Sequence, residues 1–79
     1  MKNISVSDIL YQLTNNKKVY EDVDLIEEKI IDSITYIELF SYLEELGVTL
    51  YPTRLSKDTL RRVSLLQKEV DNYIVNKEL

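Results

Sequence analysis

Apolar residues recur in helical register along three segments of the chain, separated by stretches that keep no such period. From Ser5 to about Thr14 they fall at Val6, Ile9, Leu10 and Leu13, the spacing of one helix face. Ser5 or Ser7 can cap this helix, Asp8 suits its first turn, and Asn15-Asn16 breaks the pattern. Lys17-Lys18 are then placed to complement its carbonyl end. A second register runs from about Ser33 to Leu46, with Gly47 as a left-handed stop. At about 100° per residue, Tyr36, Leu39, Phe40, Leu43 and Leu46 gather on one side, which predicts the core face. Ile34, Ile37 and Ser41 gather opposite, beside Glu38 and Glu45. A third register, from about Arg62 to Val75, carries a stripe of Val63, Leu66, Val70, Tyr73 and Ile74, with Gln67, Lys68, Asp71 and Asn72 on the remainder.

Between the first two registers, Val19 to Asp32 has no sustained period, yet Val19, Val23, Leu25, Ile26, Ile30 and Ile31 are too apolar for a free linker. The segment is expected to be an ordered connection that lays these aliphatics on the bundle and turns Glu21, Asp22, Asp24, Glu27 and Glu28 to water. Val48 to Tyr51 reads as extended, because Pro52 biases the residue before it away from helix. Ser56 and Asp58 can cap a short helical turn near Asp58–Arg61. The pattern predicts an all-α fold over residues 1–79: a small four-helix bundle with three main helices, one short helix and a long connection between the first two. Its predicted core holds Leu10, Leu13, Leu25, Leu39, Phe40, Leu43, Val63, Leu66 and Val70.

Composition narrows the chemistry. A chain of 79 residues supports one modest core, and one glycine with one proline is too little turn material for a small all-β domain. Without cysteine there is no disulfide, thiolate nucleophile or thiolate metal site, and without histidine the commonest general base and nitrogen ligand are missing. An enzyme is therefore not expected. A metal site is not expected either, since the acidic connection lacks the twelve-residue calcium-loop pattern with its central glycine. No segment approaches the roughly 20 apolar residues that span a bilayer, and the N-terminus lacks a signal-peptide stretch. The net charge of −4 disfavours nucleic acid and anionic lipid. The expectation is a cytoplasmic monomer.

One serine stands out against this inventory. Ser33 follows Asp32 at the mouth of the second helix, and two outward isoleucines, Ile34 and Ile37, stand beside it without an evident structural purpose. Leu25, Ile30-Ile31-Asp32-Ser33-Ile34, Glu38-Leu39, Leu43-Glu44-Glu45, Leu46-Gly47-Val48 and Pro52, with Arg54-Leu55, Lys57-Asp58-Thr59 and Val63 after them, resemble the acyl and peptidyl carrier protein family. The resemblance covers roughly residues 25–74. It implies that Ser33 carries a 4′-phosphopantetheine arm, placed there from coenzyme A by a separate phosphopantetheinyl transferase, with Asp32 assisting attachment. It further implies cargo held as a thioester, an acyl- or aminoacyl-loading ligase, and downstream acyl-transfer enzymes of a biosynthetic pathway. Partners are expected to read Ile34, Ile37, Glu38 and Glu45 on the outward face, with Glu44 adding a further carboxylate.

Several positions depart from the family pattern. Lys29 stands where many relatives have glycine, Thr35 occupies an often acidic position, and the turn after the second helix is one residue shorter than in fatty-acid carriers. The basic cluster Arg54, Lys57, Arg61 and Arg62 is also unlike their near-uniform acidity, so a dedicated carrier is expected rather than a housekeeping fatty-acid one. Two other readings stay open. The bundle can be a non-catalytic protein-interaction module in which Ser33 is only a helix cap. Alternatively, residues 56–62 can begin a DNA-reading element, which the net charge and the lack of helix-turn-helix spacing oppose.

Overall fold

The computed structural model describes residues 3–78. Four α-helices follow one another: α1 (Val6–Thr14), α2 (Ser33–Glu45), α3 (Lys57–Arg61) and α4 (Val63–Glu78), with no strand among the described residues. Short 3₁₀ turns occupy Lys17–Tyr20 and Pro52–Arg54. Three main helices, a short third and a long connection after the first match the sequence pattern. α3 begins one residue earlier than expected, and α4 continues three residues past Val75.

Local chemistry fixes most of the boundaries. The Ser5 hydroxyl accepts from the Asp8 amide and starts α1. Asn15 ends it in the left-handed region (φ 56°), donating its amide to the Tyr11 carbonyl at 2.7 Å; a short polar side chain tolerates that conformation better than most. Asn16 then accepts from the Lys18 amide and caps the first 3₁₀ turn. Lys17 and Lys18 belong to this turn and do not serve the end of α1. Lys18 instead reaches Glu28 of the connection at 3.2 Å, an exposed pair of small energetic weight.

The end of α2 is a Schellman turn. Gly47 adopts φ 93°, donating to the Glu44 carbonyl, while the Val48 amide donates to the Leu43 carbonyl at 2.8 Å. Val48 and Leu43 are both buried, which supplies the hydrophobic contact that accompanies such turns. Gly47 thus stops the helix as its sequence position predicts.

The core is one contiguous cluster fed by α1, the connection, α2 and α4. Leu10, Leu25, Leu39, Leu43, Leu66, Val6, Val19, Val48 and Val70 are almost wholly withdrawn from water. Every predicted core residue is buried except Leu13, which is half-buried and packs on the edge of the cluster, on the last turn of a short helix. The connection lays down Val19, Leu25, Ile30 and Ile31 as expected, with Val23 half-buried, but Ile26 is 45% exposed. Asp24 also departs from expectation. It turns inward, its carboxylate accepting from the Ile26 and Glu27 amides and pairing with Arg61 at 3.0 Å. The radius of gyration, 11.8 Å, is close to the value of about 12 Å for a compact chain of this length. The long connection is therefore wrapped against the bundle. Gln67, placed by its register on the polar side of α4, clips the start of α1: its carboxamide accepts from the Val6 amide and donates to the Ile4 carbonyl.

Two stability measurements follow from this packing. Leu43→Ala is expected to cost about 2–5 kcal/mol in chemical denaturation, because a fully enclosed side chain leaves a cavity, whereas Ile37→Ala on the exposed face stays within about 0.5 kcal/mol of wild type. Equal effects at the two positions contradict the assigned core. Lys29, at φ 55°, occupies a left-handed position without being glycine. That geometry costs about 1–2 kcal/mol for a residue with a Cβ, part of which glycine returns through its freer unfolded chain. Lys29→Gly is expected to raise the stability by up to about 1 kcal/mol, and a lower melting temperature contradicts this account.

Candidate functional site

α2 opens with a division of labour between two adjacent side chains. Asp32, in extended backbone, is the cap: its Oδ1 accepts from the Thr35 amide at 2.9 Å and from the Thr35 hydroxyl at 2.8 Å. The Thr35 amide bond and then its hydroxyl bond hold the Asp32 carboxyl below its usual pKa. Ser33 is the first residue of the helix proper. Its side chain is exposed and makes no hydrogen bond among the described residues. A capping role for Ser33 is therefore corrected: an N-cap has non-helical backbone and bonds an amide two or three residues on, and Asp32 meets both conditions.

Ser33 stands on the edge of a groove of about 770 Å³ between α2, the 49–52 segment and α3. Its lining is largely apolar, with Ile31, Tyr36, Phe40, Leu50 and Leu60 among the contributors. Tyr36 and Phe40 are stacked, with ring centroids 6.4 Å apart. The Tyr36 hydroxyl donates to the Leu60 carbonyl, tying α2 to the last turn of α3. Burial first, and the Asp24 charge second, raise the Tyr36 pKa, so its hydroxyl keeps the proton that it donates.

The α3 wall packs Leu60 on the edge of the core and also takes polar contacts from the connection. The Leu25 amide donates to the Arg61 carbonyl at 2.7 Å, and Asp24 pairs with the Arg61 side chain. α3 itself has no buried residue. The Asp24 carboxyl is held below its ordinary pKa, chiefly by the Glu27 amide and then by the Ile26 amide and Arg61, against a smaller opposing effect of burial. A depressed folded value means that this support is complete above the unfolded pKa of about 3.9 and is lost as pH falls through the folded one.

Ile34 and Ile37 are exposed, at 66% and 65%, and Glu38 is exposed beside them, as the wheel predicts. Ile37 lines the groove with Ser33; Ile34 and Glu38 lie outside its lining. Glu45 is exposed but lies at the far end of α2, roughly 18 Å along the axis from Ser33. It borders a different cavity, between α2 and the start of α1, with Asp8, Gln12 and Tyr42. Asp32 and Glu44 are the carboxylates that line the groove. The wheel contains that signal, since Glu44 is seven residues after Ile37 and shares its direction. Ile26, Thr49, Tyr51 and Leu60 join the groove from segments remote in sequence, where no local period marks them. Of the basic cluster, Arg61 pairs with Asp24, Arg62 donates to the Asp22 backbone oxygen, and Arg54 lies over the Tyr51 ring. No group of three or more acidic side chains among the described residues is arranged to hold a metal. No described helix is long and apolar enough to cross a membrane.

Comparison of the chain with protein-family models, with curated proteins and with solved structures gives no match in any of the three.

The Tyr36–Leu60 contact is testable apart from function. Tyr36→Phe keeps the ring and removes the donor, leaving the Leu60 carbonyl without it. The expected cost is about 0.5–1.5 kcal/mol, with faster amide exchange in residues 57–61 and little change in α2. Unchanged exchange in α3 contradicts its role as the tie.

Proposed function

We propose that this chain is an acyl or aminoacyl carrier protein whose Ser33 bears a 4′-phosphopantetheine arm. The observation that carries the reading is the state of Ser33: an exposed hydroxyl at the first position of α2, relieved of capping by Asp32, on the edge of a largely apolar groove. The family resemblance of residues 25–74 supports it independently of that geometry.

The residues present fit such a group. Ser33 Oγ is accessible for attack on the phosphorus of coenzyme A that bears pantetheine; an O–P bond forms as the bond to adenosine 3′,5′-bisphosphate breaks. The serine proton passes to a base of the transferase, because the chain has no histidine and no described side chain hydrogen-bonds Ser33. The positive end of α2 favours the resulting phosphodiester. When bound, the arm supplies a thiol that holds cargo as a thioester, which accounts for acyl chemistry in a chain without cysteine. Ile31, Tyr36, Phe40 and Leu60 offer an apolar chain shelter from water.

On this reading the partners are the phosphopantetheinyl transferase, the loading ligase and the acyl-transfer enzymes that unload the arm. Ile34, Ile37 and Glu38 are the docking residues nearest Ser33, and Glu45 serves only a partner that extends along α2. A non-catalytic interaction module is the second reading, favoured by the exposed Ile26, Ile34, Ile37 and Tyr51.

Intact-mass measurement after incubation with coenzyme A and several broad-specificity transferases separates the two. Wild type is expected to gain one phosphopantetheine and Ser33→Ala none, the variant melting within a few degrees of wild type because the cap is Asp32. An arm on the Ser33→Ala chain, or none on wild type with every transferase, overturns the carrier reading.

A further inference from the structure

On the side of the groove formed by Tyr51 and α3, two cations stand just outside its lining. Arg54 closes the second 3₁₀ turn and Lys57 opens α3; both are exposed. The Arg54 guanidinium lies over the Tyr51 ring, 5.1 Å from its centroid, and Tyr51 lines the same groove as Ser33. Stacking of this kind holds a cation near the rim instead of leaving it to sweep through solvent. Among the described residues, neither Arg54 nor Lys57 has an ion-pair or hydrogen-bond partner, whereas Arg61 and Arg62 are engaged with Asp24 and Asp22. Asp58, exposed on α3, offsets one of the two free charges and leaves this wall net positive. On α2, Glu44 lines the groove and Glu38 is exposed six residues earlier, outside the lining, and neither is ion-paired among the described residues.

Ser33 and Tyr51 line the same groove and Arg54 lies over Tyr51, so an enzyme that reaches the Ser33 hydroxyl also comes against Arg54. An extended polyanion does not suit the site. In reaching for Arg54 and Lys57, it would meet Asp32, Glu38 and Glu44 on a chain whose net charge is −4. A protein face of mixed sign meets both walls without repulsion.

We propose that the enzyme that modifies Ser33 docks here through a two-signed face, with carboxylates opposite Arg54 and Lys57, bases opposite Glu38 and Glu44, and an apolar centre over Ile34, Ile37 and Tyr51. The proposal rests on the carrier reading and goes beyond it in making the α3 wall part of recognition and in fixing the sign of the partner there.

The experiment is the rate of phosphopantetheine loading on the full chain, with coenzyme A and the fastest of a panel of broad-specificity transferases, at low and high salt. Arg54→Glu/Lys57→Glu is expected to lower kcat/KM about tenfold at low salt, the loss shrinking as salt screens it. Arg54→Ala/Lys57→Ala removes charge without adding repulsion and is expected to lose about threefold. Lys17→Glu/Lys68→Glu makes the same change in net charge on the first 3₁₀ turn and on α4, away from Tyr51 and α3, and is expected to stay within about twofold of wild type. Helical circular dichroism and melting matched to wild type exclude misfolding as the cause. The sign of the effect is decisive. A partner with a uniformly basic face loads the Arg54→Glu/Lys57→Glu chain faster than wild type, and a faster or unchanged rate overturns the proposal while leaving the carrier reading intact. A wild-type chain that no transferase loads overturns the carrier reading, and this docking face with it. Sedimentation of wild type with phosphatidylglycerol vesicles, abolished in the Arg54→Glu/Lys57→Glu chain, overturns it in favour of a membrane surface.

Discussion

The turn built on Asp24 governs where the rest of the site can be. Its carboxylate gathers the Ile26 and Glu27 amides and the Arg61 guanidinium, while the next residue, Leu25, is fully buried and donates its amide to the Arg61 carbonyl. One short stretch therefore closes a turn, anchors a core side chain and attaches the connection to α3. A carboxylate half-withdrawn from water is tolerated because two amides and a guanidinium are directed at it. From this anchor the chain has only Lys29, in its left-handed conformation, and the buried pair Ile30-Ile31 to reach Asp32. The start of α2, and so the position of Ser33, is set by a turn whose Asp24 stands nine residues before it.

The second consequence lies in how α2 begins. A helix start has four unsatisfied amides and rewards a side-chain acceptor. When that acceptor is Asp32, bonding the Thr35 amide and hydroxyl together, the following hydroxyl is released from structural duty. Ser33 thus combines a defined backbone position with a chemically idle side chain. The arrangement costs the fold little, because Asp32 supplies the cap.

Much of this was legible in sequence, and the parts that were not share a physical cause. Periods of 3.6 residues marked α1, α2 and α4, and the isoleucines at 34 and 37 were correctly set on the outward face because a wheel needs only local geometry. Gly47 gave its turn away for the same reason. Leu13 was misjudged because periodicity reports a direction and not the distance to the end of a bundle. Asp24 looked like one more carboxylate in an acidic run; its inward turn depends on Arg61, 37 residues later, which no local rule connects to it. Ile26 fell on the exposed side of that same turn. The groove is hidden more deeply still, since Ile26, Tyr36, Tyr51 and Leu60 come from four separate segments. Gln67 illustrates the limit on α4, where a residue on the polar side closes the start of α1 through two backbone hydrogen bonds.

The two walls of the groove are held by different forces, and this asymmetry bears on any molecule that enters it. α2 contributes Leu39, Phe40 and Leu43 to the core, so moving it exposes apolar surface at about 25 cal/mol for each Å². α3 contributes no fully buried residue: Leu60 packs on the edge of the core, and the Tyr36 hydroxyl, the Leu25 amide and the Asp24–Arg61 pair add polar contacts that water can replace. An exchange of protein hydrogen bonds for water bonds costs only about 0.5–1.5 kcal/mol per bond. The wall bearing Ser33 is thus anchored within the core, and the α3 wall at the edge of it. The difference follows from which of the two helices the core retained.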